Sequence, residues 1–365
     1  MSKYSVAQVG VGHRGKIHAN AFLQLSDRFQ LVGLCDLLPD KLEEYVTDKD
    51  LSGDICYDSA EKMLAETRPD VFCFCTLPET RLELVELAAK YHVKGLAFEK
   101  PMATSISEAH AIREICREHG IKTVVSHQHK YLTSHRRMKQ TVDDGEIGEV
   151  DRIEATCRAH LSQLGTHYID YIIWANGGHK ARWVIGHVHG PKNLEDSHPS
   201  PDYMFGHLLF ENGIRATLEC GYLSPMHMPK QAFWVDNRLT MYGTHGYAWA
   251  DTDGRFAAVT RTSNGEVISE NGPGYDPDKP GSGWSTQQST TLQPAYLREL
   301  ADWLDDDSQV HPCNVDLAYH GYEILEGVCI SALEKRRVDL PLDPSQFGDI
   351  NERMRNELPE VEITG

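Results

Sequence analysis

Short apolar runs alternate with amphipathic stretches along the first third of the chain. The apolar runs have the length of buried strands and lie at 6–11, 31–35, 71–76, 95–98 and 123–126. Between them, apolar residues recur with a helical period at 17–25, 81–91 and 108–119. Ser105 and Glu108 have the spacing of a capping box. Strands that alternate with helices predict a parallel, doubly wound sheet with helices on both faces, so we expect an α/β domain at 1–126.

The pattern changes after a helix predicted at 135–144. Polar and apolar residues then alternate, with turn residues between the runs, at 152–159, 205–210, 214–220, 238–242 and 255–260. Helical patterns cover 165–175, 292–304 and 315–335. We therefore predict a second α/β domain at 127–345, which contains a large open, mainly antiparallel sheet.

Two segments of this second part fit neither strand nor helix. The stretch 271–283 is rich in Gly, Pro and Asp and is the candidate for a mobile loop. The charged residues 346–365 are expected to form a loose tail or a partner contact.

Length and charge restrict the class of protein. At 365 residues the chain exceeds the length at which one core keeps growing, so two domains are expected. It carries 36 basic and 54 acidic residues, and the formal charge of −18 argues against nucleic acids and anionic membranes as partners. A small-molecule partner is expected instead. The opening residues enter a strand pattern at once without the features of a signal peptide, and no apolar run approaches a membrane span, so we expect a cytoplasmic protein.

Nine cysteines, an odd number, lie mostly inside apolar runs, which indicates reduced thiols in a reducing compartment. Cys73 and Cys75 form a CxC pattern whose alternation places both side chains on one face of a strand. No second cysteine pair with zinc spacing follows, so core packing is favoured over a metal site for these two residues.

A glycine motif follows the first predicted strand and opens the first predicted helix. Gly10, Gly12 and Gly15 have the GxGxxG spacing of a dinucleotide-binding turn. Such glycines allow a tight turn, let the backbone approach a pyrophosphate, and bring the helix N-terminus to it. His13 and Arg14, inside the motif, are expected to line the same cofactor site. The first domain is therefore predicted to be a Rossmann domain.

Asp36 lies about twenty residues after the motif, at the end of the second strand, where an acid binds the adenosine ribose diol. It is followed by Leu37 and Leu38, with no arginine or serine to hold a 2′-phosphate. The carboxylate would also repel that phosphate. NAD is therefore predicted in preference to NADP.

Two further segments end strands at the carboxyl edge of the predicted sheet, where cofactors bind in open α/β folds. Thr76, Leu77 and Pro78 lie at the end of the strand predicted at 71–76, and Glu99 and Lys100 follow the strand predicted at 95–98. All five are expected to line the cofactor. An ammonium at Lys100 could also bind a substrate hydroxyl and stabilise its alkoxide character. A surface lysine at a strand end is the alternative.

Five segments, in this order and spacing, resemble the Gfo/Idh/MocA oxidoreductase family: GVGHRGKIHA from Gly10, CDLLPDK from Cys35, EKPM at 99–102, DDGEIGEV at 143–150 and GTHYID at 165–170. The resemblance covers nearly the whole chain. It implies a Rossmann domain plus an α/β domain whose open sheet often mediates oligomerisation, so we expect a homo-oligomer, a dimer or a tetramer. It also implies hydride exchange between a nicotinamide and a sugar, inositol or related carbinol, with Lys100 as the active-site lysine.

In this family an Asp and a His four residues apart on a helix commonly work together, and the His takes the hydroxyl proton. His167 matches the histidine and Asp170 the acid that follows it, but Gln163 stands where the first acid belongs. Glutamine can position a group by hydrogen bonds but cannot ionise. His167 is therefore expected either to act alone as the base or to be assisted by another group, for which nearby His160 is a candidate.

The family usually carries an aromatic-Asn-x-Arg-Phe-like segment where this chain has residues 126–131, and Lys130 and Tyr131 fall on the Arg and Phe positions. If the sixth strand continues, alternation sends His127 and His129 to one side and Lys130 to the other. Which side faces the substrate is left open.

Two other features bear on the pocket. His127, His129, His160 and His167 would together suit a metal ion, but the family precedent is metal-free and the ligand spacing is loose, so no metal is expected. Trp284 lies in the Gly-rich stretch, where an exposed indole could stack on a sugar face or an aromatic aglycone. Simple packing within the loop is the alternative.

These patterns lead us to expect oxidation of a secondary hydroxyl, at C3, of a sugar or an O- or C-glucoside by hydride transfer to NAD. The altered dyad and the histidine-rich pocket resemble the glucoside 3-dehydrogenase branches more than an inositol or polyol dehydrogenase, which stays an alternative. A glycosidase that uses retained NAD for oxidation and elimination is another, and a non-catalytic dinucleotide-dependent sensor is the last. Whether NAD is tightly held or leaves in each cycle is left open.

Overall fold

The computed structural model describes residues 2–196, 198–228 and 233–360 and divides into two compact units. The first unit contains the residues up to Gln128 together with Ser289–Tyr319. The second contains His129–Gln288 and the residues from His320 onward. The expected boundary after residue 126 lies close to the observed one. Residues 289–319, which the sequence pattern placed in the second domain, instead belong to the first unit.

The strands number from the N-terminus. Those of the first unit are β1 (Tyr4–Val9), β2 (Phe29–Cys35), β3 (Cys56–Tyr57), β4 (Val71–Phe74), β5 (Gly95–Phe98) and β6 (Lys122–Val125). Those of the second are β7 (Val150–Cys157), β8 (Ala181–His189), β9 (Tyr203–Phe210), β10 (Arg215–Gly221), β11 (Asn237–Gly243), β12 (Gly246–Ala250), β13 (Arg255–Val259), β14 (Ile268–Asn271) and β15 (Val338–Asp339).

The helices of the described ranges are α1 (His13–Gln24), α2 (Pro39–Asp48), α3 (Ala60–Thr67), α4 (Arg81–Lys90), α5 (Ile106–Glu118), α6 (Thr133–Asp143), α7 (Thr166–Ala175), α8 (Ser282–Gln287), α9 (Gln293–Asp305), α10 (Val315–Glu334) and α11 (Ile350–Glu357). Short π-helical turns at Leu161–Gly165 and Gln288–Leu292 precede α7 and α9. Within these described residues, no helix is long and apolar enough to cross a membrane.

Six parallel strands form the sheet of the first unit, in the order β3-β2-β1-β4-β5-β6. Every residue of β4 and β5 is buried, as expected for apolar runs in the middle of a parallel sheet. The strand order reverses between β1 and β4, and ligands bind at the carboxyl ends of strands at such a point. The predicted doubly wound Rossmann domain is confirmed.

Nine strands form the sheet of the second unit, in the order β14-β13-β12-β11-β7-β10-β9-β8-β15. The central β7 and β10 pair in parallel and the other neighbours pair antiparallel, so the sheet is mixed but mostly antiparallel, as predicted. Gly186 and Gly206 let α10 pack closely on the sheet. A Cβ at Gly186 would lie 2.1 Å from the Val328 carbonyl oxygen, and one at Gly206 would lie 2.9 Å from the Val328 side chain.

The expectation of a loose tail at 346–365 is wrong for its middle, which forms α11. Ile350 and Met354 lie four residues apart on one face of this helix and are buried. Arg355 Nη2 donates to the Leu194 carbonyl oxygen at 3.0 Å. Because charged residues dominate the segment, its sequence pattern did not indicate the short apolar face of the helix. Residues 361–365 lie outside the described residues.

The predicted capping box forms in part. Ser105 is the N-cap of α5, and its hydroxyl accepts from the Glu108 backbone N–H at 3.3 Å. The Glu108 carboxylate accepts instead from the backbone N–H of Thr104 at 2.6 Å, so the reciprocal bond goes to the residue before the cap.

A buried arginine holds α9 against the first unit, which explains why 289–319 belongs there. Arg28 is 1% exposed, bonds the Asp302 carboxylate through Nη1, and lies 2.7 Å from Asp305 Oδ2 through Nη2. Tyr4 donates to the other oxygen of Asp305 at 2.8 Å. A buried guanidinium is stable only with such partners, so α9 must remain packed beside Arg28.

Replacement of this arginine tests that role. We expect Arg28→Met to lower the free energy of unfolding in urea by about 2–4 kcal/mol, because two carboxylates lose a buried cation. Arg298 makes an exposed pair with Asp27 between the same parts of the unit, and Arg298→Met should cost less than about 1 kcal/mol. Equal losses in the two variants would contradict a special role for Arg28.

Candidate active site

The turn between β1 and α1 and the first turn of α1 contain three glycines with different roles. Gly10 has a φ of +88°, and a Cβ there would lie 2.6 Å from the Cys75 carbonyl oxygen. A Cβ at Gly15 would lie 2.0 Å from the Gly10 carbonyl oxygen. A Cβ at Gly12, by contrast, would meet no described atom within 4 Å. Gly10 and Gly15 are therefore required by the turn itself, whereas Gly12 keeps its backbone open to a ligand.

The N-terminus of α1 begins at this turn and offers backbone N–H groups to an anion. Gly12 is the N-cap, no described side chain caps the helix, and its first turn holds no acidic residue. Gln8 Nε2 donates to the carbonyl oxygens of Gly10 and Gly15 at 2.8 and 2.9 Å and so holds the turn in shape. His13 is the exposed first residue of the helix. This arrangement fits the pyrophosphate of a dinucleotide.

Asp36 stands just after β2, beside the same turn. Its Oδ2 accepts from the Val11 backbone N–H at 2.7 Å, and its Oδ1 accepts from that of Leu38 at 2.9 Å. Each oxygen keeps a further lone pair, so the fixed carboxylate can also accept from the two hydroxyls of a ribose. The carboxylate and the uncharged Leu37 and Leu38 suit NAD.

Arg81, which the sequence analysis did not single out, links the ends of β4 and β5. It is 1% exposed, and its Nη2 donates to the carbonyl oxygens of Thr76 at 3.3 Å and Lys100 at 3.2 Å. Burial lowers the pKa of Arg81 to about 10. Leu77, in the same loop, is 55% exposed, while Pro78 is buried. Of the predicted cofactor-lining residues here, Leu77 therefore presents the most surface.

Glu99 is a buried carboxylate at the end of β5. Arg14 Nε and Nη2 donate to its Oε1 at 2.9 and 2.8 Å, and His18 Nε2 lies 3.0 Å from the same oxygen. Burial by itself would raise the pKa of Glu99, but Arg14 and His18 hold it well below its usual range. Despite burial, the charges of Cys75 and Glu99 raise the pKa of His18 to about 9. Arg14 was expected to line the cofactor, and its guanidinium donates to the Glu99 carboxylate.

Lys100 follows Glu99 and is partly buried. Burial lowers the pKa of its ammonium to about 8; Glu99 opposes this shift, and Arg14 adds to it. An amine with that pKa is mostly charged at neutral pH, so it can donate to a hydroxyl oxygen, and it holds its proton less tightly than an ordinary lysine.

The open position of Gly12 predicts a selective effect on nucleotide binding. We expect Gly12→Ala to leave the melting temperature unchanged but to weaken NADH binding by about tenfold or more, since the methyl group occupies the pyrophosphate's approach. Thermal denaturation and NADH fluorescence titration measure the two effects. Gly53→Ala is the control, because a Cβ there also meets no described atom within 4 Å. Equal NADH affinity in both variants would refute the assignment.

The pKa of Lys100 predicts its chemical reactivity. Acetic anhydride modifies the neutral amine, and burial disfavours the charged form, so Lys100 should reach half of its maximal labelling near pH 8. Lys90 is the comparison, because its hydrogen bond with Glu61 raises its pKa. Mass spectrometry of peptides labelled across a pH series measures both. A midpoint for Lys100 at or above that for Lys90 would contradict the expected shift.

In the second unit, α7 presents His167 and Tyr171 on one face, four residues apart. Both are buried, and the Tyr171 hydroxyl lies 2.8 Å from His167 Nδ1. When Nδ1 donates to that hydroxyl, Nε2 is the basic nitrogen of the ring. The partner of His167 thus lies four residues after it. The family's acid would lie four residues before it, at Gln163.

His129 extends this pair into a cluster. Its ring lies parallel to that of His167, with centroids 4.6 Å apart and an interplanar angle of 8°. Trp284 Nε1 donates to His129 Nε2 at 3.0 Å. Because an indole nitrogen can only donate, His129 must accept there, and it is neutral with its proton on Nδ1. His129, His167, Tyr171 and Trp284 form what we call the imidazole cluster.

The stretch considered for a mobile loop, 271–283, leads into α8 and carries hydrogen bonds to the neighbouring β-hairpin. Gly272 N–H donates to the Gly254 carbonyl oxygen at 2.7 Å, and Gly283 N–H donates to Asp253 Oδ1 at 3.1 Å. The Trp284 ring, half-buried, meets Trp234 edge-on with centroids 5.0 Å apart. Asp253 therefore positions the start of α8 and, with it, the indole that bonds His129.

Lys130 and Asp170 form a buried ion pair. Each is 1% exposed, and Lys130 Nζ lies 2.5 Å from Asp170 Oδ1. The acid that follows His167 is thus engaged by a cation, and loss of either partner would leave a buried charge at a cost of about 3–5 kcal/mol. Tyr131 is buried beneath the Arg136 guanidinium, which lies 4.5 Å from its ring centroid.

The chain leaves β6 at Val125 and forms a 3₁₀ turn over Gln128–Tyr131. The strand does not continue through these residues, so the condition for the expected alternation is not met. His127 belongs to the first unit, where its carbonyl oxygen accepts from Cys313 Sγ at 3.5 Å.

His160 is the N-cap of the π-helical turn before α7, and Gln163 lies within that turn. His160 Nδ1 lies 3.2 Å from Asn193 Nδ2, and burial lowers its pKa. Gln163 N–H donates to the His160 carbonyl oxygen at 3.1 Å. His160 thus has a polar partner from another segment of the second unit.

Comparisons with known proteins match both parts of the chain to models of one family. A model described as an oxidoreductase family with an NAD-binding Rossmann fold matches residues 4–127. A model described as the GFO/IDH/MocA C-terminal domain matches residues 158–249. Together these two models of one family cover more than half of the chain.

Individual relatives are distant. D-apiose dehydrogenase from Paraburkholderia graminis is 24% identical over 245 residues, which is 61% of this chain and 62% of that protein. An oxidoreductase from Agrobacterium radiobacter, crystallised with NAD+, L-tartaric acid and magnesium, has a TM-score of 0.75 at 17% identity, covering 93% of this chain and 98% of that one. The transcriptional regulator Gal80p from Kluyveromyces lactis has a TM-score of 0.74 at 16% identity, covering 93% and 94%. At these identities the structural likeness establishes the fold.

Proposed function

Because the chain belongs to the Gfo/Idh/MocA oxidoreductase family, we propose that it oxidises a secondary hydroxyl of a sugar or glycoside with NAD. The hydroxyl is that at C3, the substrate is an O- or C-glucoside, and the product is the keto sugar. The observation that carries the proposal is the contact of His167 with Tyr171, which orients a base in a chain that lacks the family's acid.

His167 takes the proton of the substrate hydroxyl. When Nδ1 donates to the Tyr171 hydroxyl, which lies 2.8 Å away, Nε2 is the nitrogen that takes the proton. The parallel face of neutral His129 favours the positive charge that appears when His167 is protonated. A positioned base of this kind contributes roughly a 10²–10⁴-fold rate increase.

Lys100 donates a hydrogen bond to the substrate oxygen and stabilises its alkoxide character as hydride leaves. Glu99 keeps a negative charge beside it, and Arg81 holds the Lys100 carbonyl oxygen, so the backbone that carries the ammonium is fixed. The turn of Gly10–Gly15 would hold the pyrophosphate of NAD, whose nicotinamide supplies the hydride acceptor when bound.

The charges of the second unit support a neutral, polyhydroxylated substrate. The buried cation Lys130 is neutralised by Asp170, and the imidazole cluster offers uncharged donors and acceptors on aromatic rings. Such a lining suits hydroxyl groups better than a carboxylate or phosphate. D-apiose dehydrogenase, by its name a sugar dehydrogenase, agrees with this substrate class.

Product analysis tests the proposal. We expect the purified protein with NAD to convert an O- or C-glucoside to a product lighter by two hydrogen atoms, measured by mass spectrometry across a panel of glucose, inositols and glucosides. If inositols are oxidised while the glucosides stay unchanged, the substrate is a polyol and not a glucoside. Released aglycone without net NADH would indicate oxidation followed by elimination.

Two variants test the roles of the residues in the same assay. His167→Ala should lower turnover by about 10²–10⁴-fold, and Lys100→Met by about 10²–10³-fold. His179→Ala and Lys90→Met, both at exposed side chains, are the matched controls and should keep full turnover. Full turnover in Lys100→Met would rule out the mechanism.

A dinucleotide-dependent sensor without turnover is a second candidate function. Gln163 in place of the acid favours it, and so does the fold shared with the transcriptional regulator Gal80p. NADH binding without oxidation of any member of the panel would support this reading. The cytoplasmic location and the homo-oligomeric state, a dimer or tetramer, stay predictions.

A further inference from the structure

Three potential metal ligands meet in the first unit, beside the dinucleotide turn. His18 comes from α1, Cys73 from β4, and Cys75 from the residue after that strand's end, and their ligand atoms all lie within 4.8 Å of one another. His18 and Cys73 are fully buried, and Cys75 is partly exposed. The two cysteines lack a second cysteine pair in the sequence, but the fold supplies a third ligand from a helix.

The distances suit a tetrahedral ion. Cys73 Sγ lies 3.6 Å from His18 Nδ1. A zinc ion with bonds of about 2.3 Å to sulfur and about 2.0–2.1 Å to nitrogen places two such ligand atoms about 3.6 Å apart. Cys73 and His18 therefore need little rearrangement to receive the ion, and Cys75 Sγ lies within 4.8 Å of both ligand atoms.

The surroundings of His18 also suit a ligand. Its Nε2 lies 3.0 Å from Glu99 Oε1, and metal-binding histidines commonly donate their other ring N–H to a carboxylate. Gln293 Nε2 lies 3.1 Å from both ring nitrogens, and Gln293 Oε1 is buried with no hydrogen-bond partner among the described residues. Because rotation of an amide exchanges its oxygen and nitrogen, Gln293 can turn its oxygen toward the cluster as a further metal ligand.

We propose that His18 Nδ1, Cys73 Sγ and Cys75 Sγ bind one thiophilic divalent cation of the zinc class, with Glu99 orienting His18. Thiolate ligands select such ions over magnesium or calcium. The ion joins α1 to the end of β4, next to the carbonyl oxygen of Cys75 that Gly10 approaches. Hydride transfer, as derived above, uses neither cysteine, so this site lies outside the proposed function.

Cadmium titration tests the site. Chelator-treated full-length protein is titrated with Cd²⁺, whose bonds to thiolates give an ultraviolet charge-transfer band. We expect one ion per chain with this band and a higher melting temperature in its presence. Cys73→Ser and Cys75→Ser should each weaken binding by about tenfold or more and reduce the band.

Cys116→Ser is the matched control, because Cys116 is a free cysteine of the same unit, 1% exposed, in α5. It should keep both the band and the affinity. A band of equal strength in all the variants, or no band in the unmodified protein, would overturn the proposal.

A second measurement on the unmodified protein keeps the test decisive if the serine variants fold poorly. Zn²⁺ should protect Cys75 from iodoacetamide, as measured by mass spectrometry of its peptide, while Mg²⁺ should not. Equal labelling of Cys75 with either ion would count against the site.

Discussion

The buried carboxylate of Glu99 determines the arrangement of the first unit, because a buried anion is stable only when cations and donors surround it. Arg14 and His18 supply them, and both belong to α1, the helix that begins at the dinucleotide turn. Their contacts tie this turn to the end of β5, where Lys100 follows. The position of the proposed alkoxide-stabilising ammonium relative to the glycine turn therefore depends on the buried charge of Glu99.

The second unit contains the converse case, a buried cation that requires an anion. Lys130 is buried and requires Asp170, so the acid that follows His167 is engaged by a cation. Gln163 removes the other acid. His167 contacts Tyr171, which can hold the ring but adds no negative charge. The parallel face of His129 lies against His167 and supports the positive charge that appears on it during the reaction.

The sequence predicted the features that local pattern determines. Continuous apolar runs marked β4 and β5, and the glycine motif marked the turn, because each depends on neighbours along the chain. The exposed β14 has no alternation of burial to detect, and α11 shows two apolar residues among charges. Pairs such as Lys130 with Asp170 depend on tertiary packing, so the sequence offered their members as separate candidates. Tyr171 lies one helical turn after His167, so helical spacing alone could have predicted that the two side chains are neighbours.

The cysteine pair shows how tertiary structure changes the meaning of a motif. Two thiols on one face indicate packing, whereas a histidine contributed from 55 residues away turns them into a possible ligand set. His18 is buried between the Cys75 thiolate, whose pKa Cys73 and His18 lower to about 6 despite burial, and the Glu99 carboxylate. Two anions in one core need positive charge between them. A proton on His18 and a divalent cation at the cluster satisfy the same electrostatic requirement, so one can replace the other without rebuilding the fold.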